Sequence, residues 1–311
     1  MSDPRRFAKQ PLDYDELITK LTKKGLVIDD DAFAKQQLKR IGYYRFVGYG
    51  LPFERYSNEG RRIGAYCPDT HFNQIINLYD NDVILRHHLL EALGEIEIGV
   101  RNLINHTMCL RSRSAHWFME PSLFVDSEKF DHTKFLKKIN RDTSKTAQDG
   151  TDKQRQREQF IQHYYSQYDE PPYPPGWMIA EVLSLGSWST VYAHLAESKA
   201  KKLISKQLDL SPATLTSWLH ALTYLRNLCA HHGRLARRHL TIQPKQDKSL
   251  PINSEPCLYN YLCVMWYLLR NISPNNAWLD RLFDIVESVD QKQSVYGIPN
   301  DWIDHEFWII K

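Results

Sequence analysis

The chain reads as all-α, and three observations predict that class. Apolar residues recur at helical spacing in several long windows, no period-2 apolar alternation persists, and Ser, Asp, Pro and Gly stand where helices must start and stop. With 42% hydrophobic and 25% charged residues over 311 positions, the composition is that of a globular chain with a large core, which sets aside disorder and fibrous repeats. The length suits about two domains, or one with extensions.

Asp13 or Asp15 can cap a first helix bearing Leu17, Ile18 and Leu21, closed by Gly25, and Asp29 to Asp31 can cap a second with Phe33 and Leu38. Residues 41–53 mix five aromatics with three glycines and a proline, matching neither helix nor strand period. A long helix is expected from His71 to about Leu110, either continuous or broken near Asp80 to Asp82, with a core stripe of Leu89, Leu93, Ile96, Val100 and Leu103. The polar stretch from Asp142 to Gln159 has loop composition. The Pro171–Pro175 run forces an extended entry into a helix from about Trp177 to Leu195. Ser211 and Pro212 form an N-cap and first-turn proline for a helix whose stripe is Leu215, Trp218, Leu219, Leu222, Leu225 and Cys229, ending at Gly233. Further helices are expected at about Cys257 to Asn271 and Ala277 to Val289, followed by a tail containing Trp302 and Trp308.

The longest apolar stretch, Leu258 to Ile272, carries Asn260 and Arg270 and falls short of the roughly 20 residues that span a bilayer. The N-terminus has no apolar segment of the secretory kind, and Cys67, Cys109, Cys229, Cys257 and Cys263 form no Cys-x-x-Cys pair. A cytoplasmic chain is therefore expected, without membrane contact, disulfides, cofactor or metal site. The histidines His87, His88, His163, His231 and His232 invite a metal reading, but neighbouring residues point to different helix faces. The formal charge of +3 is mild, yet it is unevenly spread. Eight basic residues lie between Lys134 and Arg157, against four acids from Asp142 to Glu158, and six lie between Arg226 and Lys248, against Asp247 alone. Such runs are either solvated surface or a nucleic-acid footprint.

The chemistry concentrates at Arg226-Asn-Leu-Cys-Ala-His231, with a related Arg101-Asn-Leu-Ile-Asn-His106 in the long central helix. Asn227 and His231 share a helix face, and Arg226 lies about 140° around from His231. An imidazole moves protons near neutral pH and a guanidinium clamps phosphate bidentately. The set suits RNA cleavage in which the 2′-OH is the nucleophile and no metal is required. Arg101 and His106 are either a second motif or an ordinary helix-surface pair. His232, Arg234, Arg237 and Arg238 extend the basic end of this segment, and Tyr44 and Arg45 could stack unpaired bases or simply pack. Glu95 and Glu97, two apart, do not form a paired acid and base.

Four blocks carry a family resemblance: Leu12–Leu17 with Lys24–Ile28, Tyr43–Phe53, Pro175–Ser187 and Trp218–Arg234. Together they resemble the Abi-like abortive-infection proteins of the HEPN ribonuclease superfamily over roughly residues 12–240. The resemblance implies a HEPN-like helical bundle at 71–240, preceded by a helical hairpin and aromatic connector at 1–70 and followed by a helical extension at 241–311. It places the superfamily's Arg, polar residue and His on Arg226, Asn227 and His231. It also implies an antiphage endoribonuclease whose motifs pair within a chain or across a homodimer, with cellular or structured non-coding RNA and an antitoxin RNA or protein as partners. Type VI CRISPR effector nucleases, with two such motifs per chain, are similar in outline. The family pattern keeps an Arg after an Ile-Glu pair, as in Glu95–Arg101, but does not depend on a histidine at His106. Two rival expectations are a non-catalytic binder of structured RNA or toxin scaffold, and a protein-interaction module. The tail's Trp302, Phe307 and Trp308 are the expected apolar interface of a dimer.

Overall fold

The computed structural model describes residues 9–143, 158–196, 198–289 and 291–309. Among them are fourteen α-helices and one two-stranded antiparallel ladder, so the fold class is all-α. In chain order the elements are α1 (Tyr14–Lys23), α2 (Asp31–Ile41), α3 (Tyr43–Tyr49), β1 (Glu54–Tyr56), β2 (Arg62–Tyr66), α4 (Phe72–Ser112), α5 (His132–Thr143), α6 (Gln159–Gln167), α7 (Gly176–Val182) and α8 (Leu185–His194). They continue with α9 (Ser198–Lys206), α10 (Pro212–Ala230), α11 (Leu258–Ile272), α12 (Trp278–Glu287), α13 (Lys292–Tyr296) and α14 (Glu306–Ile309). No helix among the described residues is long and apolar enough to cross a membrane. Residues 144–157, most of the stretch read as a loop and the site of Lys145, Lys153, Arg155 and Arg157, lie outside the described residues.

The chain forms two compact units, each assembled from separated segments. The first comprises Met1–Arg86, Arg234–Arg238 and Leu282–Asn300. In it, Asp13 caps α1 through a capping box with Glu16, satisfying two backbone donors reciprocally, and Asp30 caps α2 by accepting the Phe33 amide at 3.0 Å. The aromatic segment that fitted no period contains α3, because Phe46 and Tyr49, three apart, turn to the same buried side. Phe46 stacks on Phe72 with ring centroids 4.4 Å apart. The β1–β2 hairpin escapes a periodicity reading because β1 has three residues and its ladder is irregular. The buried Glu54 holds it by accepting from Arg62 Nε and Nη2, at 2.5 and 2.6 Å.

At the centre of this unit lies Asp82, fully buried, and of the two alternatives the sequence leaves there, a break or a continuous helix, α4 takes the second. Its carboxylate accepts the Tyr49 hydroxyl at 2.6 Å, the Tyr296 hydroxyl at 3.1 Å, and the amides of Leu235 and Ala236 at 3.2 and 3.0 Å. Arg86, one turn on, pairs with it as well. Burial raises the Asp82 carboxyl above the usual aspartate range, and these hydrogen bonds with the Arg86 charge oppose that shift. A polar residue that would face solvent in an isolated helix is thus satisfied by three distant segments.

The second unit comprises His87–Gly233, His239–Arg281 and Asp301–Lys311. In it α10 packs on α8, α9 and α11 through the predicted stripe, every member of which is buried. Ser211 caps α10 by accepting the Thr214 amide at 3.1 Å. On α4 the stripe continues through Ile104 and Met108 in place of Leu103. One expected helix is two. Ser184 is extended, α7 ends at Val182 and α8 begins at Leu185. Trp302, Phe307 and Trp308 are buried within the chain, with Trp308 Nε1 donating to the Tyr259 hydroxyl at 3.1 Å. The tail therefore does not present these residues as a dimer interface.

Candidate functional site

The second unit brings α4, α7, α8 and α10 together around charged side chains. Glu97 on α4 has one carboxylate oxygen 3.9 Å from Arg226 Nε on α10, and its other oxygen accepts the Leu185 amide at 2.7 Å. One turn further along α4, Arg101 donates to Glu181 of α7 at 2.5 Å, while the buried Arg101 Nε has no hydrogen-bond partner among the described residues. The break between α7 and α8 has its physical cause here. A carboxylate that caps the first amide of α8 replaces the hydrogen bond that a continuous helix would supply.

Arg226 keeps 40% of its side chain exposed beside this carboxylate. A 3.9 Å ion pair at that exposure is weak, so the guanidinium is available to a competing anion. Asn227 and His231 are exposed, and the His231 imidazole makes no hydrogen bond or ion pair with any described residue. His231 is the C-cap of α10, its own amide donating to the Asn227 carbonyl. The expected stop at Gly233 lies three residues beyond the last helical residue, Ala230. His232 takes the left-handed conformation at φ 56°, its amide donating to Cys229 O and the Gly233 amide donating to Leu228 O at 2.8 Å. A non-glycine residue in that region costs on the order of 1 kcal/mol. Glycine is needed one residue later, where a Cβ on Gly233 would meet the Leu228 carbonyl at 2.9 Å.

The structure does not bring His106 to this group. His106 is exposed and lies nine residues from Glu97, about 180° around α4, whereas Arg101 shares the Glu97 face. Within one chain Arg101 joins Arg226 beside the Glu97 turn of α4, and His106 faces away. The sequence does not announce the Glu97 and Glu181 counter-charges, and Glu97 reads there only as one of two acids two apart. Its i, i+4 spacing to Arg101 and the place of Glu181 within the Pro175–Ser187 block were the available signals.

The other candidate RNA contacts, apart from His232, belong to the first unit. Arg234 donates to the Gly48 carbonyl, and burial lowers its pKa from the ordinary arginine value. Arg237 donates to Leu51 O and to the Tyr56 hydroxyl, both at 3.1 Å, and stacks over the Tyr56 ring at 4.9 Å. These two arginines are engaged in holding loop backbone and ring. Tyr44 is 92% exposed, Arg238 is exposed and Arg45 is half-buried. Among the described residues no three His, Cys, Asp or Glu side chains are grouped to hold a metal ion.

No curated protein and no solved structure matches this chain. The family model of the Abi-like proteins matches residues 36–236, a span that takes in α3, the Glu97 turn of α4, the α7–α8 break and the Arg226–His231 end of α10. The chain therefore belongs to the Abi-like protein family.

Proposed function

We propose that this chain is an abortive-infection protein of the HEPN type that cleaves RNA without a metal, using the end of α10. The observation that carries the reading is the pairing of an exposed, unengaged His231 with Asn227 on its face and Arg226 held loosely at 3.9 Å by Glu97. In this reading the scissile phosphate displaces Glu97 from Arg226, whose guanidinium stabilises the charge that develops on the phosphorane. His231 takes the proton of the 2′-OH or gives one to the leaving 5′-oxygen, and Asn227 orients the imidazole or the phosphate. A single imidazole performs one of these transfers. The second comes from the facing His231 of another copy across a twofold axis, which makes a homodimer the active species. Arg101 supports the Glu97 turn from the same face of α4.

The test is incubation of the purified protein with total RNA in EDTA, followed by end-group analysis. Cleavage leaving 2′,3′-cyclic phosphate or 3′-phosphate ends is expected, and His231→Ala is expected to slow it by about 10²- to 10⁴-fold. Intact RNA, bound equally by both proteins, would instead establish a non-catalytic binder of structured RNA. That second reading is favoured by the lack of any described hydrogen bond orienting His231.

A further inference from the structure

The basic run at Lys134 to Arg157, which the proposed cleavage does not use, begins on the wall of a cavity of about 590 Å³ in the second unit. Lys134 and Lys138, one turn apart on α5, face it together with Lys129 from the preceding loop. None of the three makes an ion pair with a described residue, and like charges at i, i+4 repel. The opposite wall supplies hydroxyls. Lys138 Nζ donates to Ser187 Oγ at 2.6 Å, which leaves the Ser187 proton for Ser184 Oγ, 3.2 Å away, or for a ligand oxygen. Two carboxylates also line the space. Glu128 is exposed, and Asp131 is engaged at one oxygen by the Lys134 amide at 2.8 Å. The buried rings of Phe130 and Phe135 form its apolar side.

We propose that this cavity is a nucleotide-binding pocket in which Lys129, Lys134, Lys138 and Ser187 hold a terminal phosphate and the phenylalanine wall receives the base. Three lysines lining one cavity, with Lys138 on the Ser187 hydroxyl, match a phosphomonoester dianion, and an anion between Lys134 and Lys138 relieves their repulsion. The volume exceeds what a bare phosphate occupies and lies within the roughly 300 to 1,000 Å³ of small-ligand sites. The phosphate belongs either to a free mononucleotide or to the 5′ end of an RNA. This site does not rest on the roles given to Arg226 and His231.

Calorimetric titration of the full chain tests it, with AMP, adenosine, and a short 2′-O-methylated RNA bearing either a 5′-phosphate or a 5′-hydroxyl. The methylated probe resists the proposed cleavage, so binding is read independently of catalysis. AMP or the 5′-phosphorylated RNA is expected to bind at least about tenfold more tightly than its unphosphorylated counterpart, because the phosphate adds charge-assisted contacts. The Lys134→Gln/Lys138→Gln chain is expected to lose that advantage with unchanged circular dichroism. Preference for AMP identifies a free nucleotide as the ligand, and preference for the phosphorylated RNA identifies a strand end. Equal binding by the wild type and the double variant, or no advantage from the phosphate in either pair, would overturn the proposal. If both Gln substitutions unfold the chain, Lys134→Gln alone, at an exposed position, gives the same reading.

Discussion

Glu97 stands between Arg226 and the start of α8, holding the arginine at 3.9 Å with one oxygen and the Leu185 amide at 2.7 Å with the other. The two contacts separate by mutation. Glu97→Gln keeps an acceptor for the amide and removes the charge, so urea stability should stay within about 0.5 kcal/mol while RNA affinity rises as Arg226 is released. Glu97→Ala strands the amide of the buried Leu185 and should cost about 1 to 3 kcal/mol in the same unfolding measurement.

Arg226→Lys keeps a positive charge at a half-exposed position, so circular dichroism should be unchanged. Cleavage should nevertheless fall nearly as far as with Arg226→Ala, because an ammonium does not reproduce the guanidinium fork. Retention of most activity by the lysine variant would show that charge alone suffices.

His106 faces away from the Glu97 side of α4, and its exposed imidazole makes no hydrogen bond or ion pair with a described residue. His106→Ala should therefore change the rate of RNA cleavage by less than about twofold, against a loss of about 10²-fold or more for His231→Ala. Equal losses in the two variants, measured on one substrate, would require α4 faces from two chains to meet at the site.

The Asp82 carboxylate carries hydrogen bonds from Tyr49, Tyr296, Leu235 and Ala236 and the ion pair with Arg86. Asp82→Ala removes the buried carboxylate opposite Arg86 together with the acceptor of four hydrogen bonds and should destabilise the chain by about 3 to 5 kcal/mol, read as a lower urea midpoint. Asp82→Asn retains an acceptor oxygen but not the charge and should fall between Asp82→Ala and the wild type.

His88 is buried against Trp278 with ring centroids 5.2 Å apart and its Nε2 donating to the Trp278 carbonyl at 2.9 Å. Burial lowers its pKa below the ordinary histidine value of 6.5. On acidification the unfolded chain binds this proton first, so the residue costs no stability above 6.5 and progressively more as pH falls toward its folded value. Between about pH 7.5 and pH 5.5 the urea midpoint of wild type should fall more steeply than that of His88→Gln, which keeps a donor but no titrating group. Parallel curves would exclude His88 as a source of acid sensitivity.

Local signals carried the helices well. The caps at Asp13, Asp30 and Ser211 and the stripe from Leu215 to Cys229 depend on neighbours within a few residues, and these were legible from spacing and residue type. The break at Ser184 was not, because the carboxylate that stabilises it, Glu97, lies 88 residues from the Leu185 amide it accepts. The uninterrupted passage of α4 through Asp82 stays undecided in the sequence for the same reason. An aspartate in mid-helix allows a break until Tyr49, Tyr296 and the 235–236 amides are brought to it.

The sequence by itself determined the all-α class, the order of its principal helices and the placing of Arg226, Asn227 and His231 at a polar helix end, all consequences of interactions within one or two turns. Only the tertiary structure decided which of the chain's charges meet. It gave Arg226 and Arg101 their carboxylates, turned His106 away, engaged Arg234 and Arg237 with loop backbone, and buried the tryptophans of the tail. Charge pairing and burial are set by the three-dimensional approach of segments far apart in the chain, and residue spacing carries no measure of that distance.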